Sequence, residues 1–407
     1  MNCQNFLEKG IRLERLSSVI LLFILCLSAA RTQHDVFTIP FSALLILLIF
    51  IGITFKNKIN TSCLQSNTIF LLTLLFCLLL QIIGNKYYFD VIEASKAIII
   101  YYCTILACSL IISNDTSCIQ WKIINWFSFI SAGTIICQYF FYKIGIRLDY
   151  MPVLKEFVFN AWEFDYAFRP CGLFSEPSHF AELALISLYY FFFIKFSLYK
   201  ILIICLGLVL STSMLGILGI PLIVLVYIAY PSLKRANDVR LMAMKKFIVV
   251  LFSLMFLTMV YFYFIADYSW LNERIMAGGT AGSRIFRSVE ILTRLDFFEA
   301  LYGIGMQNQA LYLNYMGIIL ESDAFDTIEN REYAQTLGYI LCTNGILGFM
   351  AFLYQFVKIF ICADRRTRVF IGLFLIICFT SCVLTRPIFL IYLVVLYNLH
   401  VYSEENT

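Results

Sequence analysis

Residues 168–180 read Phe168-Arg169-Pro170-Cys171-Gly172-Leu173-Phe174-Ser175-Glu176-Pro177-Ser178-His179-Phe180, so a guanidinium, a carboxylate and an imidazole precede a long apolar run. An arginine can hold an oxyanion through forked hydrogen bonds. A glutamate or histidine beside it can take a proton from a hydroxyl or orient that hydroxyl. Ser175-Glu176-Pro177 reads as a helix start, with Ser175 as the cap, Glu176 at the positive end of the helix dipole and Pro177 in the first turn. Glu176 and His179, three apart, then share one helical face, and Gly172 supplies a backbone turn before them. A structural reading stays open beside the chemical one: Glu176 complements the dipole, His179 sits at an interface, and Arg169 anchors a lipid phosphate.

A second group lies further on. Arg284, Arg287 and Arg294 fall on one side of a helix whose stripe of Val289, Leu292, Leu295 and Phe298 suits the membrane interface. Three arginines on one face can bind a diphosphate where lysines cannot fork, or can rest on anionic lipid. Gly278-Gly279-Thr280-Ala281-Gly282 gives a flexible turn before this helix, and Gly303-Ile304-Gly305 a tight one after it. Neither glycine run sits between a strand and a helix, which excludes a nucleotide loop. The 14 cysteines are scattered through apolar runs without metal-ligand spacing, so no metal site and no cofactor is expected.

The elements that must carry these residues are membrane spans. The 407-residue chain is 61% hydrophobic and 14% charged, far from a soluble composition. Apolar runs at 16–30, 36–55, 68–84, 93–113, 123–142, 179–195, 198–212, 214–230, 246–266, 335–361, 368–384 and 386–401 give about twelve spans of an all-α bundle. Splitting 197–230 near Ser211-Thr212-Ser213 keeps the basic cluster from Lys234 to Lys246 on the inner side with Lys9, Arg12 and Arg15, and puts both termini inside. The net charge of +4 is thus an orientation signal, with no nucleic-acid partner implied. The first run also has the look of a signal peptide ending at Ser28-Ala29-Ala30. Two outer loops, 143–178 and 267–333, are long, and their Trp162, Phe168, Trp270, Phe286, Phe297 and Phe298 argue that they are ordered and lie over the bundle. The chain reads as one integral membrane domain, 1–407.

The order Arg169-x-x-Gly172-x-Phe174-x-Glu176-Pro177-x-His179-Phe180, Leu210-Ser211-Thr212-Ser213-Met214-x-Gly216, Arg294 ahead of Tyr302-Gly303-Ile304-Gly305, and Asn344-Gly345-Ile346-Leu347-Gly348 resembles the bacterial O-antigen polymerase family (Wzy) across roughly residues 160 to 355. The resemblance implies a polytopic inner-membrane glycosyltransferase that needs no metal, with both large loops periplasmic. Such an enzyme moves a growing glycan from undecaprenyl diphosphate to the next lipid-linked repeat unit. It implies Glu176 or His179 as base or orienter, and Arg169, Arg284, Arg287 and Arg294 on the diphosphate. It implies membrane lipid, a chain-length regulator and a flippase as partners. The chain departs from the family pattern at Met214, where an arginine is expected, and no His-Asn pair precedes the 344–348 helix as in the related O-antigen ligases, since those positions are Ala334-Gln335. Ligase is the first alternative. A flippase or other transporter is the second, with Lys96, Glu182 and Pro221 as the few polar or helix-breaking residues near the bilayer midplane and Glu93 as a buried partner for Lys96.

Overall fold

A computed structural model describes residues 16–26, 28, 41–55, 57, 59–84, 86–112, 117–146, 160–164, 167–174, 176–229, 288–289, 291–317, 335–384 and 386–404. In chain order these form α1 (Leu16–Cys26), α2 (Phe41–Thr54), α3 (Thr61–Gly84), α4 (Val91–Ile111), α5 (Ser117–Lys143), β1 (Asn160–Phe164), β2 (Ala167–Gly172), α6 (Pro177–Tyr189), α7 (Leu198–Leu210) and α8 (Met214–Ala229). After them come α9 (Phe297–Tyr302), α10 (Gln309–Tyr315), α11 (Thr336–Cys362), α12 (Arg365–Thr380) and α13 (Pro387–Glu404). The apolar run 246–266, the basic cluster from Lys234 to Lys246, and Ser175, Arg284 and Arg287 lie outside the described residues.

Among the described residues, five helices are long and apolar enough to cross a bilayer: α3, α4, α5, α11, and α6 with the π-helical turn Tyr190–Ile194 that extends it. The protein is a helical protein embedded in a membrane. Exposed Leu72, Leu75, Leu79 and Ile83 on α3 show what a lipid-facing side looks like, since nothing polar interrupts it. The stretch 197–230 is two helices, with Ser211-Thr212-Ser213 between them.

The chain forms two compact units, one from residues 1–124 and 280–407, the other from 125–279. In the first, polar side chains tie helices together where apolar packing alone would leave register loose. Asn67 on α3 donates to Tyr397 on α13 at 2.8 Å and accepts from Tyr101 on α4 at 3.2 Å. Helix ends are closed by side chains: Asp90 accepts from the N–H groups of Ile92 and Glu93 at the head of α4, and Asp364 from Thr367 at the head of α12. Arg368 donates to the carbonyls of Phe360 and Ile361 in the last turn of α11. Lys96 does reach Glu93, at 2.5 Å, but both side chains are well exposed near the start of α4, so the pair is not buried. Its partners are one turn apart on the first turns of the helix.

The most unusual feature of this unit is a break within α11. At Gly345 the backbone adopts φ 62°, ψ −167°, which interrupts the helical ladder. The turn 302–305 fills the gap, its Ile304 N–H donating to the Cys342 carbonyl at 3.1 Å and its Gly305 N–H to the Thr343 carbonyl at 2.8 Å. From α3, the Gln81 amide nitrogen donates to the carbonyls of Tyr302, Gly303 and Thr343. The approach is backbone on backbone: a Cβ at Gly303 would meet the Thr343 carbonyl at 2.2 Å, and one at Gly345 the Leu301 carbonyl at 2.4 Å.

The second unit is built around α6, nearly every residue of which is buried. Gly207 on α7 lies against Ala132 on α5, small residues that let two helices approach closely. Ser187 donates to Ser128 at 2.8 Å across the α6–α5 contact. The first long loop brings an element that an all-α reading leaves out, an antiparallel hairpin of β1 and β2 pairing Trp162 with Arg169 and Ala161 with Pro170. Alternation of aromatic with smaller residues along 160–164 has the period of a strand.

Gly303→Ala and Gly345→Ala each force a side chain into a backbone region that glycine alone tolerates, at a cost on the order of 1–3 kcal/mol before any overlap is counted. Both variants are expected to melt well below the parent in detergent, whereas Gly372→Ala, a position with open space around it, keeps the parental midpoint.

Candidate functional site

Strand β2, a short turn and the head of α6 bring Arg169, Gly172, Glu176 and His179 onto one continuous piece of chain. Alternation along β2 sends neighbouring side chains to opposite faces. Phe168 stacks flat on Tyr142 of α5, with ring centroids 4.0 Å apart. Arg169, partly buried, donates from Nε to Oγ1 of Thr212 at 3.0 Å. Gly172 ends the strand with φ 64°, donating its N–H to Gln138 Oε1 at 2.9 Å, and a Cβ there would come within 2.9 Å of the Ser131 carbonyl. The strand is thereby pinned to α5 at both ends of its described length.

Glu176, rather than Ser175, is the cap of α6. Its backbone is extended at φ −137°, ψ 149°, Pro177 takes the first helical position, and the Glu176 side chain makes no cap hydrogen bond. Proline has no N–H for a cap to accept and fits the first turn directly, which moves the boundary one residue on. The Glu176 carboxylate accepts from Ser178 Oγ at 2.9 Å and lies 3.9 Å from His179 Nε2. The expected sharing of a face is met, and both side chains keep partial exposure, 27% and 18%. Three residues further, Glu182 is fully buried. It sits about 8 Å along α6 from Pro177 at the helical rise.

The second group is arranged differently from the single helix expected for 284–298. Helical residues 288–289 and 291–292 end with Thr293 N–H donating to Val289 and Arg294 N–H to Ile291. Asp296 then starts α9 as a capping box, accepting from Glu299 N–H at 2.7 Å while the Glu299 carboxylate accepts from Asp296 N–H at 2.9 Å. An aspartate followed three residues later by a glutamate signals a new helix start, and that restarts the chain before the stripe reaches Phe298. Leu292 and Leu295 consequently pack against the buried cluster of Tyr88, Ile291, Ile304, Tyr312, Leu313 and Cys342 instead of lying on the interface. Val289 and Phe298 stay exposed. Arg294 stands at the end of the turn, where a cation complements the helix dipole. Gly303 and Gly305, at φ 82° and 94°, form the turn that fills the α11 break.

A charged and phenolic cluster, absent from the sequence reading, fastens this segment to the α3–α4 connection. Tyr88 Oη donates to Glu299 at 2.6 Å, Tyr312 Oη to the Arg294 carbonyl at 3.2 Å, and Lys86 pairs with Asp296 at 3.0 Å. Burial, reinforced by the neighbouring Glu299 carboxylate, pushes both phenols well above their ordinary range. Burial works to raise the Asp296 carboxyl, but the Glu299 N–H and the Lys86 ammonium together hold it below the usual carboxylate value. Lys86 is raised in turn, chiefly by its hydrogen bond to Asp296. The only sequence cue was Asp296-x-x-Glu299 itself, since contacts to Lys86 and Tyr88 span more than 200 residues.

Arg169, Glu176 and His179 therefore belong to the second unit, and Arg294, Gly303 and Gly305 to the first. Among the described residues no cluster of histidine, cysteine and carboxylate side chains has the grouping a metal ion needs. Arg169 and Thr212 can present a fixed cation, while Glu176 and His179 offer a carboxylate and an imidazole on one helix end. Compared with known protein families and with curated proteins, the chain matches none.

Tyr88→Phe leaves Glu299 buried with one donor fewer and is expected to cost about 1–3 kcal/mol, read as a lower thermal midpoint. Because Asp296 is depressed in the folded state, the stabilisation it gives is present above the ordinary carboxylate pKa and is lost as pH falls through the folded value. Asp296→Asn should melt lower than the parent at pH 7, and the gap should narrow as the solution is acidified.

Proposed function

We propose that this chain is an O-antigen polymerase of the bacterial inner membrane, a glycosyltransferase that extends a glycan held on undecaprenyl diphosphate. The observation that carries the reading is the strand-turn-helix 167–180: a held arginine, then a carboxylate and an imidazole at the head of a membrane-crossing helix. A substrate with a polyprenyl tail needs its reaction centre at such a helix end, beside the bilayer. The proposed topology has about twelve spans, both termini in the cytoplasm and the two large loops in the periplasm.

In the proposed reaction the acceptor hydroxyl oxygen bonds to the anomeric carbon of the donor glycan while that carbon's bond to the diphosphate breaks. The hydroxyl proton goes to Glu176, or to His179, and the departing diphosphate takes the bonding pair. Arg169 offsets the charge that develops on it. Transfer runs to the next lipid-linked repeat unit, and a flippase and a chain-length regulator are the partners that this route requires.

One observation favours a transporter instead. Broken helices in the membrane commonly build transporter sites, and α11 is broken at Gly345. Here, however, the carbonyls released at the break accept hydrogen bonds from Ile304, Gly305 and Gln81. They are engaged within the chain rather than presented to a cargo.

A lipopolysaccharide gel from a strain lacking the gene tests the reading. Core carrying a single repeat unit is the expected result; bare core supports ligase or flippase, and an unchanged ladder removes the proposal. With purified protein and lipid-linked repeat units, Arg169→Ala and Glu176→Ala should each lower chain growth by about 10²-fold or more. Full activity in both would remove the site assignment.

A further inference from the structure

Thr212 carries a backbone strain that its side chain explains. It stands between α7 and α8 with φ 53°, and it is 98% buried by its 2% residual exposure. A β-branched residue in the left-handed region is a conformational outlier, because its Cβ substituents crowd the backbone that glycine or asparagine would leave open. The turn does not need threonine for its own hydrogen bonds. Thr212 N–H donates to the Val209 carbonyl, Ser211 Oγ donates to the Leu208 carbonyl, and Ser213 N–H donates to Ser211 Oγ, none of which involves the Thr212 side chain. What the threonine adds is the hydroxyl that accepts from Arg169 Nε at 3.0 Å, across 43 residues of sequence.

We infer that Thr212 is a positioning residue for Arg169: the strained turn between α7 and α8 aims a hydroxyl at the guanidinium and fixes its plane toward a lipid diphosphate. The inference rests on the proposed role of Arg169 in holding that group. An arginine on a hairpin strand has four rotatable side-chain bonds, and ordering it costs rotamer entropy whenever it binds. A buried hydroxyl that holds Nε in advance removes part of that cost, and the strain in the turn is the local cost of having the hydroxyl there. The Phe168 ring stacked on Tyr142 and the Gly172 N–H on Gln138 fix the strand that carries Arg169. Thr212 does the same for the side chain.

The inference makes stability and binding move apart at one position. The probe is undecaprenyl diphosphate in detergent micelles, titrated against the purified full chain, with thermal midpoints measured on the same samples. Thr212→Gly releases the strain, which offsets part of the stability lost with the hydrogen bond, so its midpoint should lie above that of Thr212→Val while its affinity falls about tenfold or more, the scale of a hydrogen bond to a charged group. Thr212→Val keeps shape and strain without the acceptor and should lose affinity similarly. Thr212→Ser keeps the hydroxyl and should bind within about twofold of the parent on the same scale. Arg169→Ala is the reference. If it loses binding while the Gly and Val variants bind as the parent does, the positioning role is overturned and the function stands. If affinity in the Thr212 series tracks the midpoint, the residue is structural and the inference fails. If Arg169→Ala itself binds normally, both the site assignment and this inference fail.

Discussion

Backbone amides that leave a helix inside a bilayer have no water to bond, and each one left bare costs several kcal/mol. The first unit is organised around meeting that requirement at one place. Where α11 breaks at Gly345, the turn 302–305 supplies two N–H groups and Gln81 supplies its amide, so the interruption is filled by the chain's own backbone. This fixes more than the break. It sets the depth of the 302–305 turn against α3 and α11, and with it the place of α9 and α10 on either side. The cluster of Lys86, Tyr88, Asp296, Glu299 and Tyr312 then closes the same segment from its other end. Two glycines whose Cβ atoms would collide with the opposing backbone are the condition for such an approach.

The second unit solves a different problem, the ordering of a polar segment on an apolar scaffold. A free-standing two-stranded hairpin is marginal in water. Here β2 is held by contacts to α5 through Phe168 on Tyr142 and Gly172 on Gln138, and to the α7–α8 turn through Arg169 on Thr212. The strand thus borrows its rigidity from helices. Pro177 starts α6, and the Glu176 carboxylate before it accepts from Ser178 and lies 3.9 Å from His179, both in the first turn of that helix.

How much of this the sequence carried differs from element to element. Among the described residues the apolar runs located the helices, because lipid imposes one strong pattern, but α3 and α5 begin seven and six residues before their runs, and the Ser211-Thr212-Ser213 break followed from charge balance. The shared face of Glu176 and His179 also followed from spacing. The hairpin did not, since five- and six-residue strands leave a faint pattern beside 20-residue helices. The stripe from Val289 to Phe298 was misleading for a related reason: a period of three says nothing about a capping box that interrupts it. Contacts such as Gln81 to Thr343, or Arg169 to Thr212, join residues far apart in sequence and belong to the tertiary fold alone.

The two kinds of irregular backbone in this protein are therefore not equivalent. At Gly345 the departure from helix is closed by hydrogen bonds from the 302–305 turn and from Gln81, and glycine makes the conformation inexpensive; such a site serves assembly. At Thr212 the departure is made by a residue poorly suited to it, and its side chain meets a cation instead of completing the turn. Strain that no local hydrogen bond explains points outward from the turn, to what its side chain holds. By that distinction the break in α11 belongs to the architecture, and the turn between α7 and α8 belongs with Arg169.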